Sequence, residues 1–225
     1  MDTYIIASTQ KWHQDHFTDI GSTLNCNIVF IGSSEELNIA SLKKINPKYI
    51  FFTHWSTKIS KDIYDNFNCI LFHMTDLPYG RGGSPLQNLI LKGHAETKIS
   101  AIKVVEALDA GDVYLKKELK LKGSAQEILL RAANVVKDMI IEIIKTNPKP
   151  SPQVGPVEIF KRRKPEESDI KSIADLNLFY DYIRMLDADG YPKAFLETEH
   201  FKFEFNKAEL NTDNTLSAHV RIIKK

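Results

Sequence analysis

The chain has 225 residues, 43% apolar and 26% charged, an ordinary balance for one globular domain with or without an appendage. Its 30 basic and 29 acidic side chains leave a net charge of +1, so the basic excess typical of nucleic-acid-binding proteins is missing. The two cysteines lie in apolar runs and no zinc-ligand spacing occurs. Without a signal segment or an apolar run near the roughly 20 residues that span a bilayer, we expect a cytoplasmic protein.

The first part of the chain alternates between strand-like and helix-like segments. Apolar runs predict buried strands at 3–8, 26–32, 49–55 and 69–73. Helical patterns lie among them at 33–45, which opens on a capping box of Ser33 and Glu36, and at 58–67. Continuous apolar strands that alternate with helices are typical of a parallel sheet covered on both faces.

A glycine-rich loop follows the strand at 69–73, and the pattern then changes. Helices are predicted at 85–93, 124–146 and 175–187, and strands at 97–108, 113–121, 201–205 and 217–223. The stretch 147–156 holds four prolines and reads as a linker. We therefore expect a catalytic domain over 1–146, the linker 147–156, and a small C-terminal subdomain over 157–225.

One histidine stands at a position that suits chemistry. His73 is the last residue of a predicted strand, and open α/β sheets bind ligands beyond the carboxyl ends of their strands. Asp109 lies in the turn between two long strands, and such a turn can fold back over the same edge. A carboxylate beside an imidazole fixes its tautomer and supports its charge. The loop 80–85 lacks both the third glycine of a dinucleotide fingerprint and the Lys-Ser/Thr of a P-loop.

The order of these residues resembles that in the formyltransferase family that uses 10-formyltetrahydrofolate. The pattern is a strand, His-x-Ser/Thr-x-Leu-Pro, a glycine, a proline and an Asp-x-Gly turn, and its residues are His73, Thr75, Leu77, Pro78, Gly82, Pro85, Asp109 and Gly111. The segments 160–170 and 183–195 resemble sugar-nucleotide N-formyltransferases, and 72–88 is similar to the formyltransferase of pseudaminic acid biosynthesis. The resemblance implies an α/β, Rossmann-like formyltransferase fold, with a shortened, mostly parallel sheet flanked by helices and a small C-terminal α+β appendage.

The resemblance also implies a reaction. A formyl group would pass from 10-formyltetrahydrofolate to the amine of a nucleotide-linked 4-amino sugar, such as a UDP-4-amino-4,6-dideoxy-N-acetyl hexose, without a metal. The implied partner is the nucleotide-linked amino sugar, with no nucleic acid and no membrane, and relatives often form homodimers. The alternatives are a methionyl-tRNA formyltransferase, an enzyme for carrier-bound aminoacyl groups, and a catalytically weak folate-binding module.

Residue roles follow from the same resemblance. His73 would stabilise the intermediate and relay a proton, Asp109 would orient His73, and Thr75 would position water or substrate. The residues expected to bind folate are Trp55, Ser56, Thr57, Lys58, Ile59, Val105, Ala107 and Leu108. The residues expected to bind the acceptor substrate are Gly80, Arg81, Gly82, Gly83, Arg162, Arg163 and Arg184, since guanidinium groups suit phosphate.

The chain departs from the family pattern at one position. The family has asparagine two residues before the histidine, where its amide donates to the oxyanion, and this chain has Leu71. Loss of one such donor typically lowers the rate by about 10²–10³. Asn88, on the following predicted helix, is the expected substitute.

Overall fold

The computed structural model describes the backbone of residues 1–225 and the side chains of residues 1–10 and 13–225. The strands are β1 (Thr3–Ala7), β2 (Asn27–Ile31), β3 (Tyr49–Phe52), β4 (Cys69–His73), β5 (Arg81–Gly82), β6 (Glu96–Lys103), β7 (Val113–Lys120), β8 (Ile159–Phe160), β9 (Ala194–Glu197), β10 (Phe201–Leu210) and β11 (Leu216–Lys224). The helices are α1 (Lys11–Phe17), α2 (Ile20–Leu24), α3 (Ile39–Ile45), α4 (Lys61–Asn66), α5 (Pro85–Leu91), α6 (Ala125–Thr146) and α7 (Leu176–Arg184), with a 3-10 turn at Pro165–Ser168.

The main sheet has six strands in the order β2-β1-β3-β4-β6-β7. The first four are parallel, and β4 pairs antiparallel with β6, so that His73 lies opposite Ser100. Strand order reverses at β1, whose neighbours are β2 and β3. Parallel strands place their carboxyl ends at one edge, and His73 ends β4 at that edge.

Both faces of the sheet are buried, as the continuous apolar runs predict. One face carries a core cluster: Ile5, Ala7, Ile31, Leu37, Leu42, Ile50, Phe52, Ile59, Ile63 and Cys69. Alternate residues of the same strands are also buried: Tyr4, Ile6, Phe51, Ile70 and Phe72. The predicted α/β fold with a mostly parallel sheet is therefore confirmed.

One local prediction is wrong, and two helices were not predicted. The stretch 11–24, for which no element was predicted, contains α1 and α2. The helix predicted from residue 33 begins only at Ile39, because the side chain of Asn38, and not that of Ser33, accepts a hydrogen bond from the first turn, at the backbone N–H of Ser41. By contrast, the Ser124–Glu127 capping box at the start of α6 is present, with bonds in both directions.

The chain forms two compact units, each built from three segments. The first unit comprises Met1–Arg81, Lys98–Leu119 and Ala132–Ile159. The second unit comprises Gly82–Thr97, Lys120–Arg131 and Phe160–Lys225. The predicted linker contributes to the first unit, where Ser151 forms a bridge with Val113.

Within the second unit, β9, β10 and β11 form a three-stranded antiparallel sheet in the order β11-β10-β9. Helix α7 packs on β10, where Phe179 meets Phe205 edge to face, with ring centroids 6.2 Å apart. This is the predicted α+β appendage, joined by α5 from earlier in the chain. Across the described residues, no helix combines the length and apolarity needed to cross a bilayer.

Candidate active site

His73 occupies a buried position at the end of β4. Cys69 lies in the core cluster and Leu71 packs against it, so the two-residue period of the strand places His73 on that face. Leu71 supplies apolar packing at the position where the family has an amide donor. The ring of His73 leaves the apolar layer where the strand ends, and only 8% of its side chain is exposed.

Asp109 is presented by a backbone turn that few residues tolerate. Its φ of 52° lies in the left-handed region, which Asp adopts more readily than most residues. Two positions on, Gly111 is required because a Cβ there would overlap the carbonyl oxygen of Lys103. The Asp-x-Gly motif thus gives a tight turn that holds a carboxylate in a fixed place.

The turn brings Asp109 against His73. Nδ1 of the imidazole lies 3.6 Å from Oδ2 of the carboxylate, close enough for an ion pair but longer than a hydrogen bond. Nε2 lies 2.8 Å from the carbonyl oxygen of Gly80. A carbonyl only accepts, so Nε2 carries a proton in this arrangement, and the carboxylate is placed to stabilise positive charge on the ring.

Thr75 shares this carbonyl with His73. Its Oγ1 donates to Gly80 O at 3.3 Å, and its side chain is fully buried. Its own carbonyl accepts from Ser100 Oγ at 2.7 Å. Thr75 therefore fixes the loop that carries Gly80, and the positioning of water or substrate by Thr75 stays a prediction.

Two lysines bind the loop that follows His73. Asp76 accepts hydrogen bonds from Nζ of Lys98, at 3.0 Å, and from Nζ of Lys116, which also donates to the carbonyl of Leu77. Burial alone would raise the pKa of Asp76, but the hydrogen bonds from Lys116 and Lys98 outweigh it and lower that pKa. The loop after His73 is thus held by charge-assisted bonds on one side and by Ser100 on the other.

Gly82 and Gly83, expected to contact the acceptor substrate, pack closely against the backbone of Phe160 and Arg162. A Cβ at Gly82 would overlap the carbonyl oxygen of Phe160, and the N–H of Gly83 donates to that oxygen at 3.0 Å. In the same unit, the amide nitrogen of Asn88 donates to the carbonyls of Gly83, Ser84 and Lys161, each at 3.0 Å. An oxyanion-binding role for Asn88 would require those bonds to be released, and it stays a prediction.

The residues expected to bind folate come from two segments, 55–59 and 105–108, and differ in burial. Ile59 belongs to the core cluster, whereas Ser56, Thr57 and Lys58 are exposed. Trp55 is half-buried against Phe52, and its Nε1 is a buried donor without a hydrogen-bond partner among the described side chains. Beyond β6, Val105, Ala107 and Leu108 are exposed, Leu108 by 71%. A buried donor left unpaired and exposed apolar residues both suit a ring-bearing ligand.

The four arginines named from the sequence have different surroundings. Arg81 donates from Nε and Nη2 to Gln153 Oε1, at 3.1 and 2.8 Å. Arg163 lies over the ring of Tyr182 and donates to the carbonyl of Glu167. Arg184 donates to Asp181 and to the carbonyls of Leu121 and Gly123. Arg162 is exposed.

A buried polar cluster at the ends of β1 and β3 was not predicted from the sequence. Nδ1 of His13 lies 2.8 Å from Ser8 Oγ and 3.1 Å from Thr53 Oγ1, all in the first unit. Burial, with the nearby rings of His54 and His16, lowers the pKa of His13 to about 3. Burial also lowers the pKa of His54, whose φ of 51° is left-handed. No motif signals this cluster, because its members come from separate segments.

No group of three or more His, Cys, Asp or Glu side chains among the described residues could hold a metal ion. The site offers a buried imidazole, a carboxylate and backbone carbonyl groups. Such a set can donate and accept protons and stabilise developing charge.

Comparison with known proteins shows the family to which the chain belongs. The family model described as the methionyl-tRNA formyltransferase C-terminal domain matches residues 165–223. A solved structure of a methionyl-tRNA formyltransferase from Clostridium thermocellum is 45% identical, covers 100% of both chains and superposes with a TM-score of 0.96. The protein belongs to the 10-formyltetrahydrofolate-dependent formyltransferase family.

Curated relatives agree on the type of formyltransferase. A methionyl-tRNA formyltransferase from Clostridium acetobutylicum is 33% identical over 52% of this chain and 41% of its own length. The chain thus spans about two fifths of that relative. HypX from Aquifex aeolicus, solved in complex with tetrahydrofolic acid, shares the fold at a TM-score of 0.75, with 15% identity over 92% of this chain and 38% of HypX.

These matches correct two predictions. A nucleotide-linked amino sugar as acceptor, in particular one of pseudaminic acid biosynthesis, is contradicted by the matches to methionyl-tRNA formyltransferases, and so is the exclusion of nucleic acid as a partner. The residues quoted for the resemblance did not distinguish one type of formyltransferase from another. A net charge of +1 averages over the whole chain and does not report a local basic surface.

Proposed function

We propose that the protein transfers the formyl group of 10-formyltetrahydrofolate to the α-amine of methionyl-tRNA. The observation that carries the proposal is the buried pair of His73 and Asp109 at the carboxyl edge of the sheet, in a chain 45% identical over its whole length to a methionyl-tRNA formyltransferase. The folate supplies an activated formyl group. The amine nitrogen forms a bond to the formyl carbon as the bond from that carbon to N10 breaks, and a proton passes from the amine to N10.

The chain's own residues supply what this transfer needs. When the ring releases the Gly80 carbonyl, His73 offers its Nε2 proton to the negative charge that develops on the formyl oxygen. The imidazole then relays a proton from the amine nitrogen to N10. Asp109 stabilises the charged ring from the Nδ1 side, and the buried setting strengthens that interaction. Thr75 and the Lys98–Asp76–Lys116 bonds keep the loop beside His73 in place.

Binding of the folate is supported by the environment of Trp55. Its unpaired, buried Nε1 is a donor for an acceptor atom of a ligand, and its ring offers a flat apolar surface. Exposed Val105 and Leu108 offer further apolar contact after β6. These features suit a pterin, which has polar atoms along one edge of a flat ring.

Binding of an RNA acceptor is supported by a basic run that precedes the matched C-terminal segment. Lys161, Arg162 and Lys164 are all exposed, and the family match begins at residue 165. Lysine and arginine side chains bind the phosphates of RNA, largely without regard to sequence. Within the same unit, the guanidinium of Arg163 lies over the ring of Tyr182, and the backbone N–H of Arg163 donates to Ser84 Oγ at 3.0 Å.

The test is a formylation assay with purified protein. Methionyl-tRNA and 10-formyltetrahydrofolate are incubated with the protein, and formylmethionine released from the tRNA is measured by mass spectrometry. We expect the wild type to form the product and His73→Ala to have a rate of formylation lower by at least about 10²-fold. His200→Ala should have the wild-type rate, because its side chain is 73% exposed. A folded wild-type protein that forms no product, beside an active reference enzyme in the same assay, would refute the proposal.

A further inference from the structure

The segment that the sequence predicts as a linker reaches the candidate catalytic pair. Ser151 forms an antiparallel bridge with Val113, so residues 151–158 begin alongside the start of β7. Farther on, the carbonyl of Glu158 accepts the N–H groups of Gly80 and Arg81, at 3.0 and 2.9 Å. We call residues 151–158 the strap.

One side chain of the strap binds the turn that carries Asp109. Nε2 of Gln153 donates to the carbonyl oxygens of Asp109 and Gly111, both at 2.8 Å. These are the two donors of a primary amide, and both are used on the same turn. Because Asp109 sits at a left-handed φ that is strained for a non-glycine residue, two short hydrogen bonds to this turn have a direct effect on where the carboxylate lies.

The other half of the same amide faces the glycine loop. Oε1 of Gln153 accepts from Nε and Nη2 of Arg81, at 3.1 and 2.8 Å. Arg81 follows Gly80, whose carbonyl accepts from Nε2 of His73. Gln153 therefore connects the backbone on both sides of the imidazole: the turn with the carboxylate that faces Nδ1, and the loop with the carbonyl that faces Nε2.

We propose that Gln153 is a positioning residue, which sets the distance between Asp109 and His73 by clamping the Asp109–Gly111 turn to the Arg81 loop. The proposal deepens the formyl-transfer function given above and rests on it for its kinetic tests. Only a side chain with both an acceptor and two donors on one planar group can make all four bonds, so a glutamate of the same size cannot replace it. The carboxylate of a glutamate would keep the bond to Arg81 but would face two carbonyl oxygens without a proton.

Gln153→Glu and Gln153→Ala separate the two halves of the clamp. Both variants lose the bonds to the turn, while only Gln153→Ala also loses the bond to Arg81. We expect kcat to fall by about 10-fold or more in each, with KM for both substrates within about twofold of wild type, because Gln153 acts through Asp109 and not on a ligand. Val154→Ala is the matched control in the strap, since Val154 is 88% exposed, and we expect wild-type kinetics from it.

A double-mutant cycle with Asp109→Asn distinguishes positioning from general support of the fold. If Gln153 works through Asp109, the double variant with Gln153→Ala is no slower than Asp109→Asn alone. Losses that multiply would overturn the proposal. So would a Gln153→Glu variant with wild-type kcat.

A spectroscopic measurement tests the proposal without substrate. The role of Gln153 can therefore be tested even if the protein fails to formylate methionyl-tRNA. The ring nitrogen resonances of His73 are assigned in the 15N-labelled protein by their loss in His73→Gln. We expect Gln153→Ala and Asp109→Asn to shift them in the same direction, and Val154→Ala to leave them unchanged. Ring resonances of His73 that are identical in Gln153→Ala and wild type would overturn the proposal.

Discussion

Nδ1 of His73 faces Oδ2 of Asp109 at 3.6 Å, with 8% and 4% of the two side chains exposed. One residue ends a strand of the parallel half of the sheet, and the other lies in the turn between β6 and β7. In the antiparallel pairing of β4 with β6, Lys103 at the end of β6 lies opposite Ile70, and the turn that follows folds back so that Asp109 meets the His73 ring. A buried carboxylate beside a buried imidazole is an arrangement that apolar packing alone does not produce, because each polar group needs a partner in the interior.

Two variants test the roles of this pair. We expect His73→Ala to lower kcat for formyl transfer by at least about 10²-fold, since a general acid–base group contributes about 10²–10⁴-fold. Asp109→Asn keeps the shape but removes the charge, and we expect a smaller loss. The double variant should be no slower than His73→Ala alone, because Asp109 acts through the ring. Steady-state kinetics measure all three, and circular dichroism confirms folding. Multiplied losses in the double variant would contradict this.

The Gly111 position tests whether the turn needs glycine. In Gly111→Ala the new methyl group overlaps the carbonyl of Lys103, and the strand end must shift. We expect the free energy of unfolding to fall by about 1–3 kcal/mol, the range for overpacking with backbone movement. Urea unfolding gives the value. Gly32→Ala is the control, because a Cβ at Gly32 meets nothing closer than Glu36 Oε1 at 3.8 Å. Equal stability of the two variants would show that the turn can relax.

Acid should weaken the loop that follows His73 through Asp76. Lys116 and Lys98 lower the pKa of this carboxyl below its ordinary 3.8. The folded-state pKa is thus below the unfolded one, so the stabilisation is fully present above the ordinary value and is lost as pH falls through the folded-state value. We expect Asp76→Asn to reduce the free energy of unfolding at pH 7 by about 1 kcal/mol, a modest figure for a partly exposed ion pair. The difference from wild type should shrink on acidification.

Urea unfolding at pH 7 and pH 3 measures that difference, with Asp138→Asn on the exposed side of α6 as the matched control. If the gap between wild type and Asp76→Asn stays constant over this range, the lysine bonds do not contribute in the way described.

His13 should make stability depend on pH in a higher range. Burial lowers its pKa from 6.5 to about 3, so the folded state resists protonation that the unfolded chain accepts. The unfolded state then binds more protons below pH 6.5, and stability falls as pH falls from there toward 3. From pH 7 to pH 5, we expect wild type to lose about 2 kcal/mol more free energy of unfolding than His13→Asn.

Denaturant unfolding at the two pH values provides the comparison. Asparagine retains a polar group near Ser8 and Thr53 but does not titrate. The matched control is His219→Asn, at an exposed position. Its free energy of unfolding should fall between pH 7 and pH 5 by as much as that of wild type. A wild-type loss no greater than that of His13→Asn would mean that His13 becomes protonated without penalty.

The strands and long helices could be predicted from the sequence because local patterns decide them. Apolar runs gave β1 to β4, and the Ser124–Glu127 capping box gave the start of α6. Helices α1 and α2 were missed because they are only 7 and 5 residues long, too short for a periodic pattern to stand out. The start of α3 was misplaced because two capping candidates compete there, and Asn38 makes the bond.

The candidate site was predictable only in part. His73 and Asp109 stand in a recognisable order along the chain, so their pairing was expected. Gln153 lies in a proline-rich stretch that gives no sign of function, and its four hydrogen bonds exist only because distant loops meet there. The acceptor was predicted wrongly, because short motifs around His73 and Asp109 carry no information on which amine is the acceptor.

The sequence by itself determined the α/β class, the strand that ends in His73 and the formyltransferase family, since these depend on local periodicity and on residue order. Tertiary structure decided the distance between His73 and Asp109, the carbonyl that faces Nε2, and the clamp made by Gln153. The reason is physical: propensity and hydrophobic pattern act over a few neighbouring residues, whereas hydrogen bonds between buried groups depend on chain packing between segments far apart in sequence.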